Sequence, residues 1–239
     1  MIERRFALFY RYTVVRSWCL QFLNFSPLAN QLIPHTHADT VTGAVFQWLH
    51  RNDDTGIEDS SKNLRVLWVR ALLAHRGEIE DDVADKLLPK DSRGLVTTDD
   101  GARLFNPIIQ FTEWIQSRTE FIDGGLDAFL DSPACRSEQK FEDCNVVLFG
   151  AGYDTRSMRY RNKHGNAAHF FEVDLPSVVK GKQILYEKFI RENDPTFDLT
   201  NDGPTLIPFD LNSCNPGPDN VKLIDMLSEN GMNPNIPTM

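Results

Sequence analysis

The sequence predicts an α/β fold in which parallel strands alternate with helices. The apolar run at 146–149 has the length of a strand, and a strand covered on both faces forms such a continuous run. A glycine turn, Gly150-Ala151-Gly152, follows this run directly. After a polar segment that is compatible with a helix, a second apolar run at 169–174 ends in a carboxylate. This order of strand, turn, helix and strand is typical of a parallel sheet.

The same stretch suits a ligand that contains a nucleoside. Gly150 and Gly152 have no Cβ, so the backbone can turn tightly and lie directly against a ligand. Asp174 follows Gly150 by 24 residues. This is near the spacing at which a carboxylate at the end of the second strand accepts hydrogen bonds from ribose hydroxyls. These three residues are therefore candidate cofactor-binding residues.

The bulk composition is that of one sizeable domain, or of one domain with an appendage: 239 residues, 41% hydrophobic and 25% charged. The net charge of −9 argues against a general nucleic-acid-binding protein, which needs a basic surface for phosphates. The four cysteines include no CxxC pair, so we expect neither a zinc site nor a disulfide framework, as in a reducing compartment. No apolar run reaches transmembrane length, and we expect no stable membrane insertion.

The chain divides into three predicted regions. Residues 1–38 form an N-terminal extension with several arginines and a single acid, Glu3. This extension is either an organelle transit peptide or a helix that packs through its apolar residues, and the second alternative predicts a cytoplasmic protein. Residues 39–140 form a helical cap region, and residues 141–239 contain the predicted strands.

Further elements complete the predicted core. A third strand is expected at 205–210, where it ends in Asp210-Leu211. Arg70 and Arg118 fall in two of the expected helices, and the helix that contains Arg118 is expected to be interrupted near its glycine pair at 124–125. The expected helices include 64–75, 105–130, 176–192 and 221–229.

Three segments resemble the leucine carboxyl methyltransferase family of S-adenosylmethionine-dependent enzymes. FGAGYDTR at 149–156 is similar to the family signature LGAGxDTR, FEVDLP at 171–176 to FEVDxP, and RTEFID at 118–123 to the RTxFxD box. The resemblance runs from about Leu64 to the C-terminus. It implies a Rossmann-like class I methyltransferase fold with a helical N-terminal cap. Because the sequence stops where the family's central strand would begin, we expect a truncated chain with an incomplete sheet.

The resemblance also implies roles for the two arginines. Arg118, in the RTxFxD box, would bind the carboxylate of the methionine group of S-adenosylmethionine through the two parallel hydrogen bonds that a guanidinium offers. The alternative for Arg118 is a pair with Glu113 or Glu120 on its own helix. Arg70 matches a basic residue that the family uses near the same carboxylate, and the alternative is a solvated helix arginine.

We predict roles for four further residues near the glycine turn and the third strand. The Asp-Leu pair that the family places near the adenine is matched by Asp210 and Leu211. Asp154 is expected to cap the helix that follows it. Arg156 is expected to support the glycine turn through a salt bridge rather than to contact a ligand.

Methyl transfer from a sulfonium needs an aligned nucleophile and little acid–base help when the acceptor is an ionised carboxylate. We therefore predict an S-adenosylmethionine-dependent O-methyltransferase that acts on a carboxylate or hydroxyl of a small molecule or of a protein carboxyl terminus, without an assigned catalytic residue. One alternative is methylation of the C-terminal leucine of a phosphatase catalytic subunit, and another is an inactive truncated relative. A third is an NAD(P)-dependent oxidoreductase, which Thr155 at the third small position of the turn disfavours.

Overall fold

The computed structural model describes residues 61–88, 93, 109–135, 144–164, 168–213 and 223–239 of the chain. Its helices are α1 (Ser61–His75), α2 (Ala84–Leu87), α3 (Ile109–Leu130), α4 (Arg156–His164), α5 (Pro176–Asn193), α6 (Leu199–Asp202) and α7 (Leu223–Glu229), with a 3-10 turn at Leu211–Ser213. Its strands are β1 (Asn145–Phe149), β2 (His169–Asp174) and β3 (Thr205–Pro208). The predictions for residues 1–38 lie outside the described residues, and the division into three regions stays a prediction.

The three strands form one parallel sheet in the order β1-β2-β3. In register, Val146 lies beside Phe170, and Val173 lies beside Ile207. The predicted α/β fold with a parallel sheet is therefore confirmed. The third strand is shorter than the predicted 205–210, because after Pro208 the chain turns into the 3-10 helix.

The end of the chain extends this sheet beside β1. Asn145 forms a parallel bridge with Thr238, and its N–H donates to the Pro237 carbonyl oxygen at 2.8 Å. The N–H of Val147 donates to the Met239 carbonyl oxygen at 2.9 Å. Alternate residues of a parallel strand bond to opposite neighbours, so residues 237–239 lie on the edge of β1 that faces away from β2. This pairing is an isolated bridge outside the three strands, so the described residues contain the three strands that the sequence predicted.

Helices cover both faces of the sheet. On one face, Val146 and Phe170 pack against Leu126 of α3 and Tyr160 of α4. On the other face, the β2 and β3 side chains pack against α7; this cluster contains Phe171, Val173, Ile207, Phe209, Leu223, Leu227 and Met232. Both faces of β2 are therefore buried, which explains its continuous apolar run.

Helix α3 continues through Gly124 and Gly125, where the sequence led us to expect an interruption. The buried residues Ile115, Leu126 and Leu130 fix both halves of the helix to the core. This packing outweighs the cost of about 1 kcal/mol that each glycine adds to a helix.

Cys135 and Cys144 form a disulfide that joins the end of α3 to the start of β1. Both cysteines are buried. The expectation that the cysteines form no disulfide is therefore wrong. A spacing of nine residues carries no recognisable motif, and only the packing of α3 beside β1 brings the two Cα atoms to 5.6 Å.

Replacing Cys135 with serine is expected to lower the free energy of unfolding by about 2–3 kcal/mol, because closing a loop of this length removes that much entropy from the unfolded chain. Urea unfolding of the wild type and of Cys135→Ser, each with and without dithiothreitol, measures the effect. The reductant should bring the wild type down to the variant and leave the variant unchanged. Equal stability of the two proteins without reductant would contradict the prediction.

Candidate functional site

The candidate site begins at the glycine turn that follows β1. Gly150 and Gly152 have φ angles of 62° and 50°, in the left-handed region that costs other residues about 1–2 kcal/mol. The N–H of Gly150 donates to the Val173 carbonyl oxygen at 2.9 Å, so the start of the turn stays hydrogen-bonded to the end of β2. This places two residues without side chains at the carboxyl edge of the sheet.

Asp174 lies against this turn. One oxygen of its carboxylate, Oδ2, accepts a hydrogen bond from the N–H of Gly152 at 2.6 Å, and Oδ1 accepts one from Leu175 at 2.7 Å. Its side chain is half-buried. A carboxylate accepts about four hydrogen bonds, so capacity for further donors remains.

Asp210 and Leu211 follow the end of β3 at the same edge. The N–H of Phe209 donates to the backbone oxygen of Asp174 at 2.7 Å, which sets the two strand ends side by side. The carboxylate of Asp210 is exposed and accepts hydrogen bonds from the backbone and side-chain nitrogens of Asn212. The three strand ends thus share one edge, and contact of these residues with a cofactor stays a prediction.

Arg70 is only 1% exposed, so the alternative that it is a solvated helix arginine is wrong. Its Nε donates to Asp81 at 2.9 Å, its Nη1 to the Thr119 hydroxyl at 3.2 Å, and its Nη2 to the Thr155 hydroxyl at 3.1 Å. Thr155 in turn donates to Asp81 at 2.6 Å. Each nitrogen of this guanidinium is therefore engaged by protein groups, and Arg70 joins α1 and α3 to the glycine turn.

Arg156 holds the other side of the turn. Its Nε donates to Asp123 at 2.5 Å, and its Nη1 pairs with the carboxylate of Asp154. The backbone N–H of Arg156 donates to Asp154 at 2.8 Å, so Asp154 caps the start of α4 as predicted. Burial alone would raise the pKa of Asp154, but Arg156, with smaller contributions from Arg70 and Lys182, holds it well below its usual range.

The RTxFxD box positions α3 through two residues that we did not single out from the sequence. Thr119 and Asp123 lie one turn apart, so both face the glycine turn and α4. Thr119 accepts from Arg70, and Asp123 accepts from Arg156 and, at 2.9 Å, from Arg159. The spacing of four residues within the box was the available signal, because it places both side chains on one helix face.

Arg118 differs from the three neighbouring arginines. Its guanidinium stacks 4.9 Å from the centre of the Trp114 ring, and its buried Nε has no hydrogen-bond partner. Within the described part of the chain, neither Glu113 nor Glu120 pairs with it, and Glu120 accepts from Gln116 instead. Burial lowers the pKa of Arg118, and Asp154 only partly opposes this effect. The alternative of an ion pair along the helix is therefore wrong.

A second buried cluster lies beneath the turn. Glu172 of β2 is 1% exposed, and its Oε1 accepts a hydrogen bond from Ser157 at 2.7 Å. Its Oε2 lies 2.5 Å from the Nζ of Lys182, in an ion pair that is not aligned as a hydrogen bond. The Tyr186 hydroxyl donates to Oε1 at 3.4 Å. Burial raises the pKa of Glu172, although Lys182 opposes this.

The described residues contain no cluster of three or more potential metal ligands. They also contain no helix that is long and apolar enough to cross a membrane. The polar groups described above at the carboxyl edge include arginines, aspartates and backbone amides, which are groups that can bind an organic ligand with an anionic end and hydroxyl groups.

Residues 63–239 match the model of the family described as leucine carboxyl methyltransferase. No curated protein and no solved structure matches the chain significantly. The matched segment contains the glycine turn, Asp174 and the buried arginines that surround the turn. The chain therefore belongs to the leucine carboxyl methyltransferase family, whose members are S-adenosylmethionine-dependent methyltransferases.

Proposed function

We propose that the chain binds S-adenosylmethionine on a Rossmann-like class I core and transfers the methyl group to a carboxylate or hydroxyl oxygen. One observation carries this proposal: Arg118 is a partly buried cation without a carboxylate partner among the described residues, although Asp81, Asp123 and Asp154 pair with its neighbours. A buried cation is costly unless a counter-charge compensates it. The carboxylate of the methionine group would supply that charge.

The sheet supports the Rossmann-like interpretation. Strands β2 and β3 lie on one side of β1, and residues 237–239 lie on the other side. The direction of strand order therefore reverses at β1, and ligands of open α/β sheets bind at the carboxyl end of such a point. The glycine turn lies there.

Each residue would have a distinct role toward the cofactor. Asp174 would accept hydrogen bonds from the ribose hydroxyls, and the bare backbone of Gly150 and Gly152 would let the cofactor approach. Arg118 would bind the carboxylate. The adenine would lie near the last two predicted residues, Asp210 and Leu211. Arg70, whose nitrogens are all engaged, would position the turn rather than contact the cofactor.

The cofactor supplies an electrophilic methyl group, and the chain supplies binding and alignment. An acceptor carboxylate is already ionised at neutral pH, so it needs no general base. We infer a carboxylate acceptor from the family, on a small molecule or on a protein carboxyl terminus. The oxidoreductase alternative gains no support, because the Thr155 hydroxyl bonds Arg70 and Asp81, which glycine or alanine could not do.

Isothermal titration with S-adenosylhomocysteine and with NAD tests the proposal. We expect binding of S-adenosylhomocysteine and none of NAD. Binding of NAD alone would establish the oxidoreductase alternative, and binding of neither would establish an inactive relative. Transfer of a labelled methyl group to candidate carboxylic acids would then identify the acceptor.

Replacing Arg118 with methionine is expected to weaken binding of S-adenosylhomocysteine about 30-fold, because a charge-assisted pair with the ligand carboxylate is lost. The thermal midpoint should stay unchanged or rise, since a desolvated cation has been removed. Arg161→Met is the matched control, because Arg161 is also half-buried but pairs with Asp202, and its replacement changes the net charge equally. Equal affinities for the wild type and Arg118→Met would exclude Arg118 from the site.

A further inference from the structure

Asn63 lies over the glycine turn. A Cβ added to Gly152 would lie 2.9 Å from the Oδ1 of Asn63 and 3.5 Å from its Cγ. Asn63 is in the first turn of α1, two helical turns before Arg70, and both residues share one face of that helix. Because Arg70 bonds Thr155, this face of α1 lies along the turn.

Asn63 is half-buried, and its side-chain amide makes no hydrogen bond within the described part of the chain. An asparagine amide has two donors and an acceptor oxygen, so its full capacity is open. Its Oδ1 lies 2.9 Å from the place where a Cβ of Gly152 would stand, and the Asp174 carboxylate accepts a hydrogen bond from the N–H of the same glycine. A ligand that meets Asp174 with its ribose would therefore extend past Asn63 with another part.

We propose that Asn63 is a cofactor-contacting residue whose amide binds the amino-acid end of S-adenosylmethionine together with Arg118. This proposal rests on the proposed function. An amide can accept from the ammonium group and donate to the carboxylate, whereas Arg118 can only donate. Among the described residues, the buried Nε of Arg118 has no hydrogen-bond partner and the Asn63 amide makes no hydrogen bond, and together the two side chains match both charges of the ligand's amino-acid group.

The binding test compares S-adenosylhomocysteine with 5′-methylthioadenosine, which lacks the amino-acid group. In Asn63→Ala, affinity for S-adenosylhomocysteine should fall about tenfold, and affinity for 5′-methylthioadenosine should stay unchanged. Asn235→Ala, which removes an exposed asparagine amide, should bind both ligands like the wild type. Equal weakening of both ligands in Asn63→Ala would overturn the proposal. If the wild type binds neither ligand, the proposed function fails as well, so the two failures are distinguishable.

A stability cycle tests the geometry without any ligand. Gly152→Ala should lower the thermal midpoint, both because of its positive φ and because the new methyl group would contact Asn63. In the Asn63→Ala background the contact is gone, and the loss should be smaller by about 3 °C. The same loss in both backgrounds would show that Asn63 does not lie against the turn, and would overturn the proposal.

Discussion

Replacing Asp174 with alanine is expected to weaken binding of S-adenosylhomocysteine at least ~100-fold. Each hydrogen bond between a ribose hydroxyl and a charged acceptor contributes about 1.5–3 kcal/mol, and a 100-fold loss corresponds to about 2.7 kcal/mol. The substitution also removes the acceptor for the N–H of Gly152, so the turn loses one of its attachments to β2. Titration calorimetry on the purified variant measures the loss.

Two further variants separate binding from folding. Asp174→Asn keeps an oxygen for the N–H of Gly152, so it should retain the stability of the wild type and still lose much of the affinity. Asp198→Ala is the matched control, because it removes an exposed aspartate that caps α6 and accepts from Thr200 at 3.0 Å. It should cost about 1 kcal/mol of stability and no affinity. Unchanged binding by Asp174→Ala would exclude this carboxylate from the ligand site.

The features that the sequence predicted are those set by near neighbours along the chain. The apolar runs of β1 and β2 mark strands buried on both faces, and Gly150 and Gly152 mark a turn with positive φ. The cap of Asp154 on α4 spans only two residues. Such features depend on local conformation, so a single sequence contains the information needed to predict them.

The features that the sequence did not reveal depend on distant partners. Arg70 bonds Thr119 and Thr155, which are 49 and 85 residues away, so its burial follows from the packing of α1 against α3 and the turn. Asn63 carries no motif at all and is recognised only by its distance from Gly152. The pairing of residues 237–239 with β1 is equally non-local.

The two acids of the FEVD segment, Glu172 and Asp174, each hold one end of the segment that follows the glycine turn. Asp174 binds the N–H of Gly152 at the start of segment 152–157, and Glu172 binds the Ser157 hydroxyl at its end. Both acids occupy alternate positions of β2, so their side chains leave the strand on the same face. If ribose hydroxyls compete for Asp174, the attachment through Glu172 remains, and Glu172 depends on Lys182 for its counter-charge.

Replacing Glu172 with leucine is therefore expected to lower the free energy of unfolding by about 3–5 kcal/mol, because the buried ammonium of Lys182 loses the one carboxylate that pairs with it among the described residues. The double variant Glu172→Leu/Lys182→Met should recover most of this loss, since a buried pair replaced by apolar groups is often neutral. Urea unfolding measures all three proteins. A single variant as stable as the double variant would contradict the prediction.

The reciprocal variant, Lys182→Met, should respond to pH. Burial already raises the pKa of Glu172, and removal of Lys182 takes away the main effect that opposes this rise. A carboxyl with a raised pKa in the folded state favours folding when it is protonated, and this contribution is lost as the pH rises through the folded-state pKa. The stability deficit of Lys182→Met relative to the wild type should therefore shrink as the pH is lowered from neutral. A deficit that is constant across that range would show that Glu172 does not remain as an uncompensated buried carboxylate.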